Sequence, residues 1–173
     1  MHINSTLFRE YDIRGRIDQP DELTPEAIAA IGRGFAVFLK CRGITDAVVG
    51  RDARPYSEEV KNITVKALCE SGINVIDIGV VLAPMFYFSQ YHLQKKGGVM
   101  ITASHNPWGW SGFKHAYDYS TTLVPQDMDE MRDSIEKLVG DAVAVDLLTK
   151  GHGHGHLSVD EIGNCLVVTR QER

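Results

Sequence analysis

The stretch Gly97–Lys114, GGVMITASHNPWGWSGFK, decides how the rest of the chain is read. Val99, Met100 and Ile101 form an apolar run that gives way to small and polar residues from Thr102 to Pro107, the pattern of a buried strand delivering a hydroxyl onto an exposed loop. The chemistry is expected at that loop, and its hydroxyl is Ser104. Three readings of this serine compete. A hydrolase nucleophile elbow wants glycine two residues to either side, where Thr102 and Asn106 stand. His105 does not repair that reading, because neighbours in a loop seldom aim at each other and a serine's base normally comes from elsewhere in the fold. A turn shaped by serine and asparagine before Pro107 fits, and so does a phosphoryl carrier whose loop amides hold a phosphate. Spacing alone does not separate these two.

Working outward, strand and helix patterns alternate. Thr24 to Gly43 reads as a helix: Thr24 can cap it, Pro25 suits its first turn, and Ile28, Ile31, Phe35 and Phe38 repeat at helical steps. Asp46 to Gly50 reads as a strand leading into Arg51-Asp52-Ala53-Arg54-Pro55. A helix follows from about Ser57 to Ser71, with Val60, Ile63, Ala67 and Leu68 on one face, then a strand over Ile73–Ile78 and a helix from near Pro84 to Gln94. Beyond the loop, Gly112–Tyr117 reads as a further short strand, and Val124-Pro125 opens a helix whose Met128, Met131, Ile135 and Leu138 are packing residues. This alternation predicts an α/β domain, three-layer α/β/α with a mostly parallel sheet, with a ligand beyond the carboxyl ends of the strands. Arg51, Asp52 and Arg54 fall at one such end, where an ion pair or loop brace is the better reading. Ser104, His105 and Asn106 fall at another. Leu7–Gly15, LFREYDIRG, reads on its own as an edge strand with solvated arginines.

The 173 residues, 43% hydrophobic and 24% charged, suit one ordinary domain able to bury roughly two thirds of its unfolded surface. A net charge of −5 gives no general attraction to nucleic acid or an anionic membrane, and neither is expected as a partner. Cys41, Cys69 and Cys165 lack paired metal spacing and read as reduced thiols; with no signal-like start and no membrane-length apolar run, a cytoplasmic location is expected. Lys150–His156, KGHGHGH, reads as a linker rather than a metal site, since three histidines on a flexible backbone lack supporting partners.

Thr102-Ala103-Ser104-His105-Asn106-Pro107, followed by Gly112-Phe113-Lys114, resembles the active-site serine loop of the α-D-phosphohexomutases, the family of phosphomannomutases and phosphoglucomutases. LFREYDIRG resembles the opening of that family's first domain. The resemblance implies that Ser104 is carried as phosphoserine and moves a phosphoryl group between C1 and C6 of a phosphosugar. It implies Ser104, Lys114 and His105 as catalytic residues, Lys114 in proton transfer, and Tyr11 and Arg14 as substrate-binding. It further implies magnesium, held here only through a phosphate oxygen on Ser104, and a hexose 1,6-bisphosphate activator. Trp108-Gly109-Trp110-Ser111 departs from the family pattern, with Ser111 where asparagine is typical. The family's Asp-x-Asp-x-Asp metal loop belongs to its second domain and does not occur in this chain. The expected division is a first domain over 1–145 and, over 146–173, a Gly/His-rich linker and the start of a second, with Val159-Asp160 like the segment that enters it. The expected partners are a phosphosugar, the missing domains or another chain to complete the site, and self-association through the face those parts would cover. The expected function is the N-terminal domain of a hexose-phosphate mutase, inactive or weak alone; the alternative is a non-catalytic phosphosugar-binding or regulatory module.

Overall fold

Thr24 Oγ1 accepts a hydrogen bond from the Ala27 amide at 3.3 Å, so the first long helix starts where its cap predicts. The computed structural model describes residues 3–149; the Gly/His-rich run, Val159 and Asp160 lie outside them. After a short 3-10 turn (Ser5–Leu7), the elements are β1 (Ile13–Arg16), α1 (Pro25–Cys41), β2 (Asp46–Arg51), α2 (Ser57–Glu70) and β3 (Asn74–Val80). They continue with α3 (Ala83–His92), β4 (Gly97–Ile101), β5 (Trp110–Tyr117), β6 (Thr121–Thr122) and α4 (Pro125–Thr149).

The strands form one sheet in the order β1-β5-β4-β2-β3, with β6 paired to β5. β2 runs parallel to both β3 and β4, as the alternating pattern predicts, whereas β5 runs antiparallel to β4, β1 and β6. The sheet is therefore mixed. The antiparallel half follows from the short connection Thr102–Gly109, which reverses the chain, whereas a parallel return needs a crossover of a dozen residues or more. Leu7–Gly15 also differs from a single extended piece. It makes the end of the 3-10 turn, a tight loop in which the Arg9 amide donates to the Asp12 carbonyl at 2.9 Å, and then the edge strand β1.

The two sheet faces are covered unequally. Val49, Val99, Ile101 and Phe113 join the main core with α1, α2 and α4, including Phe35, Phe38, Leu68, Met131 and Ile135. Val48, Met100 and Ala116 point the other way and meet Phe86 of α3, whose full burial contributes about 1.5–3 kcal/mol. This gives the expected three layers. α3 lies against β2 and β4 and touches β5 at Ala116, so on its face the surface of β5 beyond Ala116 and of β1 stays open. Met85, Phe88 and Tyr91 of α3 are exposed. Among the described residues no helix is long and apolar enough to cross a membrane.

His115 of β5 is wholly buried beside Phe35 (ring centroids 4.4 Å apart) and Phe113 (6.0 Å). Neither ring nitrogen has a hydrogen-bond partner among the described residues. Burial pushes its pKa down to about 3, against an opposing pull from Asp12. In the unfolded chain the ring protonates near 6.5. Between those values the unfolded state holds a proton that the folded state refuses. The stabilisation is thus complete above about pH 6.5 and falls as the pH drops, by up to about 1.4 kcal/mol per unit, until about pH 3. In urea unfolding at pH 7.5 and pH 5, His115→Phe is expected to lose less stability on acidification than the native chain; equal losses would show that the folded protein accepts the proton.

Candidate active site

The carboxyl end of β4 is gripped from both sides. The Asp52 amide donates to the Ile101 carbonyl and the Thr102 amide to the Gly112 carbonyl, each at 2.9 Å. Gly112 permits this closeness, since a Cβ there would lie 2.6 Å from the Ile13 carbonyl oxygen and 3.1 Å from that of Thr102. The chain then turns at Ser104, whose φ of +56° places a non-glycine residue in the left-handed region. The Ser104 amide donates to Thr102 Oγ1 at 2.9 Å, which holds the turn.

Arg54, from beyond the end of β2, fastens the loop. Its guanidinium donates to the carbonyls of Asn106 (2.6 Å), Pro107 (2.9 Å), Ser104 (3.3 Å) and Trp110 (3.3 Å). The Tyr56 hydroxyl adds a bond to the Trp110 carbonyl at 2.9 Å. Asp52 works from below: Oδ1 accepts from the Ser57 hydroxyl (2.5 Å) and the Arg54 amide (3.2 Å), and Oδ2 accepts a long bond from the Ala103 amide (3.4 Å). Of the amides at 103–106, only that of His105 has no partner among the described residues. The loop therefore presents one open amide rather than the several that a phosphate cradle suggests. His105 itself contradicts the expectation that loop neighbours miss each other, for its Nδ1 lies 3.3 Å from Ser104 Oγ.

Asn106 and Trp110 lead from this loop into a cleft of about 590 Å³, shared with Tyr11, Asp12, Arg14 and Lys114. The cleft lies over the part of the sheet that α3 leaves bare. Lys114 stands opposite Met100, and Arg14 opposite Gly112, so both project from the α3 face of β5 and β1. Between them sits the nearly buried Asp12. Its Oδ2 accepts from Arg14 Nε (2.9 Å), Arg14 Nη2 (2.6 Å) and Lys114 Nζ (3.3 Å). Tyr11 is exposed at the cleft. Tyr11, Arg14 and Lys114 thus line one cleft, which the serine loop reaches through Asn106; Ser104 and His105, the two residues before it, do not line the cleft. Ser111, the departure from the family pattern, has its hydroxyl buried away from the cleft, on the same strand face as Phe113.

Magnesium finds no cage here. No group of three histidine, cysteine, aspartate or glutamate side chains that could hold a metal occurs among the described residues. The carboxylate nearest the loop, Asp52, is already taken by Ser57, Arg54 and Ala103. These residues do not fit a metal by themselves.

Residues 5–139 match the phosphoglucomutase/phosphomannomutase family, alpha/beta/alpha domain I. The chain belongs to that family. It is 43% identical over 111 residues to a phosphomannomutase of Vibrio cholerae, covering 63% of this chain and 24% of the relative. It is 36% identical over 151 residues to a phosphomannomutase/phosphoglucomutase of Pseudomonas aeruginosa, covering 84% and 32%. A crystal structure of a phosphoglucomutase/phosphomannomutase family protein from Burkholderia thailandensis superposes with a TM-score of 0.72 at 25% identity, covering 79% of this chain and 31% of that one. The chain thus spans between about a quarter and a third of these relatives.

Two features of this domain I escaped the sequence reading. Asp12 sits in the LFREYDIRG string but was not distinguished from its neighbours; its i, i+2 spacing from Arg14 was the available signal, because alternate residues of an extended segment share a face. Trp110 had no signal, since its place in the cleft depends on the clamped loop. Arg54→Ala should lower stability by about 2 kcal/mol through its lost charged hydrogen bonds and should speed amide exchange at 103–106. Unchanged exchange in that loop, followed by NMR or mass spectrometry, would mean that the guanidinium does not hold it.

Proposed function

We propose that this chain supplies the phosphoryl-carrying domain of a hexose-phosphate mutase of the phosphomannomutase/phosphoglucomutase type. The observation that carries this reading is a cleft lined by Arg14 and Lys114 that the clamped serine loop reaches through Asn106, two residues past Ser104. Arg14 spends only part of its fork on Asp12, and its remaining N–H groups are available for a phosphate. Tyr11 adds a hydroxyl at the open side of the cleft.

The step is a phosphoryl transfer. Ser104 Oγ forms a new bond to phosphorus while the bond from phosphorus to the sugar oxygen breaks. The serine proton leaves to a base, for which His105 Nδ1 is in reach, and the departing sugar oxygen takes up a proton, for which Lys114 is a candidate donor. The phosphoserine so formed gives its phosphoryl group to the free hydroxyl of a hexose monophosphate, and the return transfer to Ser104 Oγ, from the other end of the resulting 1,6-bisphosphate, leaves the group moved between C1 and C6. Magnesium would neutralise phosphate charge; since the described residues do not cage it, its ligands and the groups that read the sugar are assigned to parts of the relatives that this chain does not match. Without those parts the domain is expected to turn over weakly or not at all.

Intact mass after incubation with magnesium and a hexose 1,6-bisphosphate should show one added phosphoryl group, located by fragmentation at Ser104 and lost in Ser104→Ala. A native chain that never gains the group removes the carrier reading. Arg14→Ala should weaken binding of a hexose monophosphate roughly tenfold or more, the worth of its charged hydrogen bonds. Calorimetric titration with unchanged affinity would take Arg14 out of the site.

A further inference from the structure

We propose that Asp12 is a positioning residue that stands in for phosphate: its carboxylate holds Arg14 and Lys114 together in the cleft and yields them when a phosphate enters. The inference rests on the reading of this cleft as a phosphosugar site.

The contrast with Asp52 carries the argument. Asp52 pairs with Arg54 Nε at 3.5 Å but also uses both carboxylate oxygens on backbone amides and a serine hydroxyl, so it braces a loop. Asp12 makes no such bonds. Its Oδ2 contacts Arg14 and Lys114, two of the three cations that line the cleft, Arg9 being the third, and its Oδ1 accepts no hydrogen bond among the described residues. The loop around it is tied instead by its backbone, through the Arg9 amide and the Asp12 carbonyl. Removing the carboxylate would therefore leave the loop's own bonding intact and change only the cations.

Those cations need an intermediary. Arg14 pairs with Gly112, and Lys114 lies two residues further along β5, so the two are diagonal neighbours on one sheet face. Like charges so placed repel, and a carboxylate at their meeting point turns the repulsion into a triad. The grip is uneven: Arg14 is held by two short bonds and Lys114 by one of 3.3 Å, so Lys114 is the easier to redirect. A phosphate monoester, carrying close to two negative charges, seeks the same donors and is repelled by Asp12 itself. The carboxylate thus aims the cations while opposing the ground-state binding of the anion they serve.

This predicts opposite changes in binding and in chemistry. Asp12→Asn should bind inorganic phosphate about three- to fivefold more tightly, since one repulsive charge is gone, yet accept a phosphoryl group on Ser104 at least about tenfold more slowly, since the cations lose their common aim. Asp12→Glu, which keeps the charge, should retain the native phosphate affinity. A residue with a merely structural role would weaken both properties together, so equal or weaker phosphate binding by Asp12→Asn overturns the proposal, as does tighter binding with unchanged uptake. If Asp12→Asn does not fold, the native chain decides. During an NMR titration with inorganic phosphate, the Asp12 carboxyl carbon and the Arg14 Nε–H signals should move over the same concentration range. Movement of Arg14 alone overturns the role of Asp12 and leaves the site reading standing, whereas no movement of either overturns the site reading along with it. A native chain that takes up no phosphoryl group removes the carrier reading, while the phosphate affinities still decide on Asp12.

Discussion

The fully buried strand β4 has a parallel neighbour on one side and an antiparallel one on the other, and the architecture of the active end turns on that junction. Its residues alternate between the two cores, so its direction is set before the loop begins. Hydrogen bonds from Asp52 and to Gly112 then hold the point where the chain leaves the sheet. A loop leaving so constrained a strand has little freedom, and the guanidinium of Arg54 removes much of what remains by binding the carbonyls of three loop residues and of Trp110 at the start of β5. The left-handed backbone at Ser104 persists because the surroundings hold it from several directions.

The position of the cleft has a similarly plain origin. α3 covers β2 and β4 and reaches β5 where Ala116 meets Phe86, and among the described residues no helix covers the rest of the antiparallel half on that face. Polar and charged side chains can occupy that open floor at small desolvation cost. Those on the opposite face of β5, such as His115, are driven into an apolar core instead. One strand thus presents a lysine to the cleft and a neutral histidine to the core at adjacent positions, because successive side chains of a strand point to opposite faces.

The helices and the parallel strands were legible in the sequence. α1 follows its cap, its early proline and its apolar repeat, and α2 follows Val60, Ala67 and Leu68, all of them local signals. α3 was legible as a helix but not in its orientation: Met85, Phe86, Phe88 and Tyr91 lie at differing angles about the axis, and the sheet receives only Phe86 fully. Leu7–Gly15 was misjudged as one extended piece because the 3-10 turn depends on Asn4, whose side chain accepts from the Thr6 amide, and on the packing of Leu7.

What the sequence by itself determined is the alternation of elements, the burial of β4 and the identity of the loop that follows it, because periodicity and turn chemistry act over a few residues at a time. Its motifs also singled out Ser104, His105, Lys114, Tyr11 and Arg14. The tertiary structure alone decided that β5 returns antiparallel, that α3 leaves part of the sheet uncovered, which carbonyls of the expected loop brace Arg54 binds, and that Asp12 meets both Arg14 and Lys114. These are contacts across tens of residues, and their geometry comes from strand register and layer packing, which no local pattern encodes.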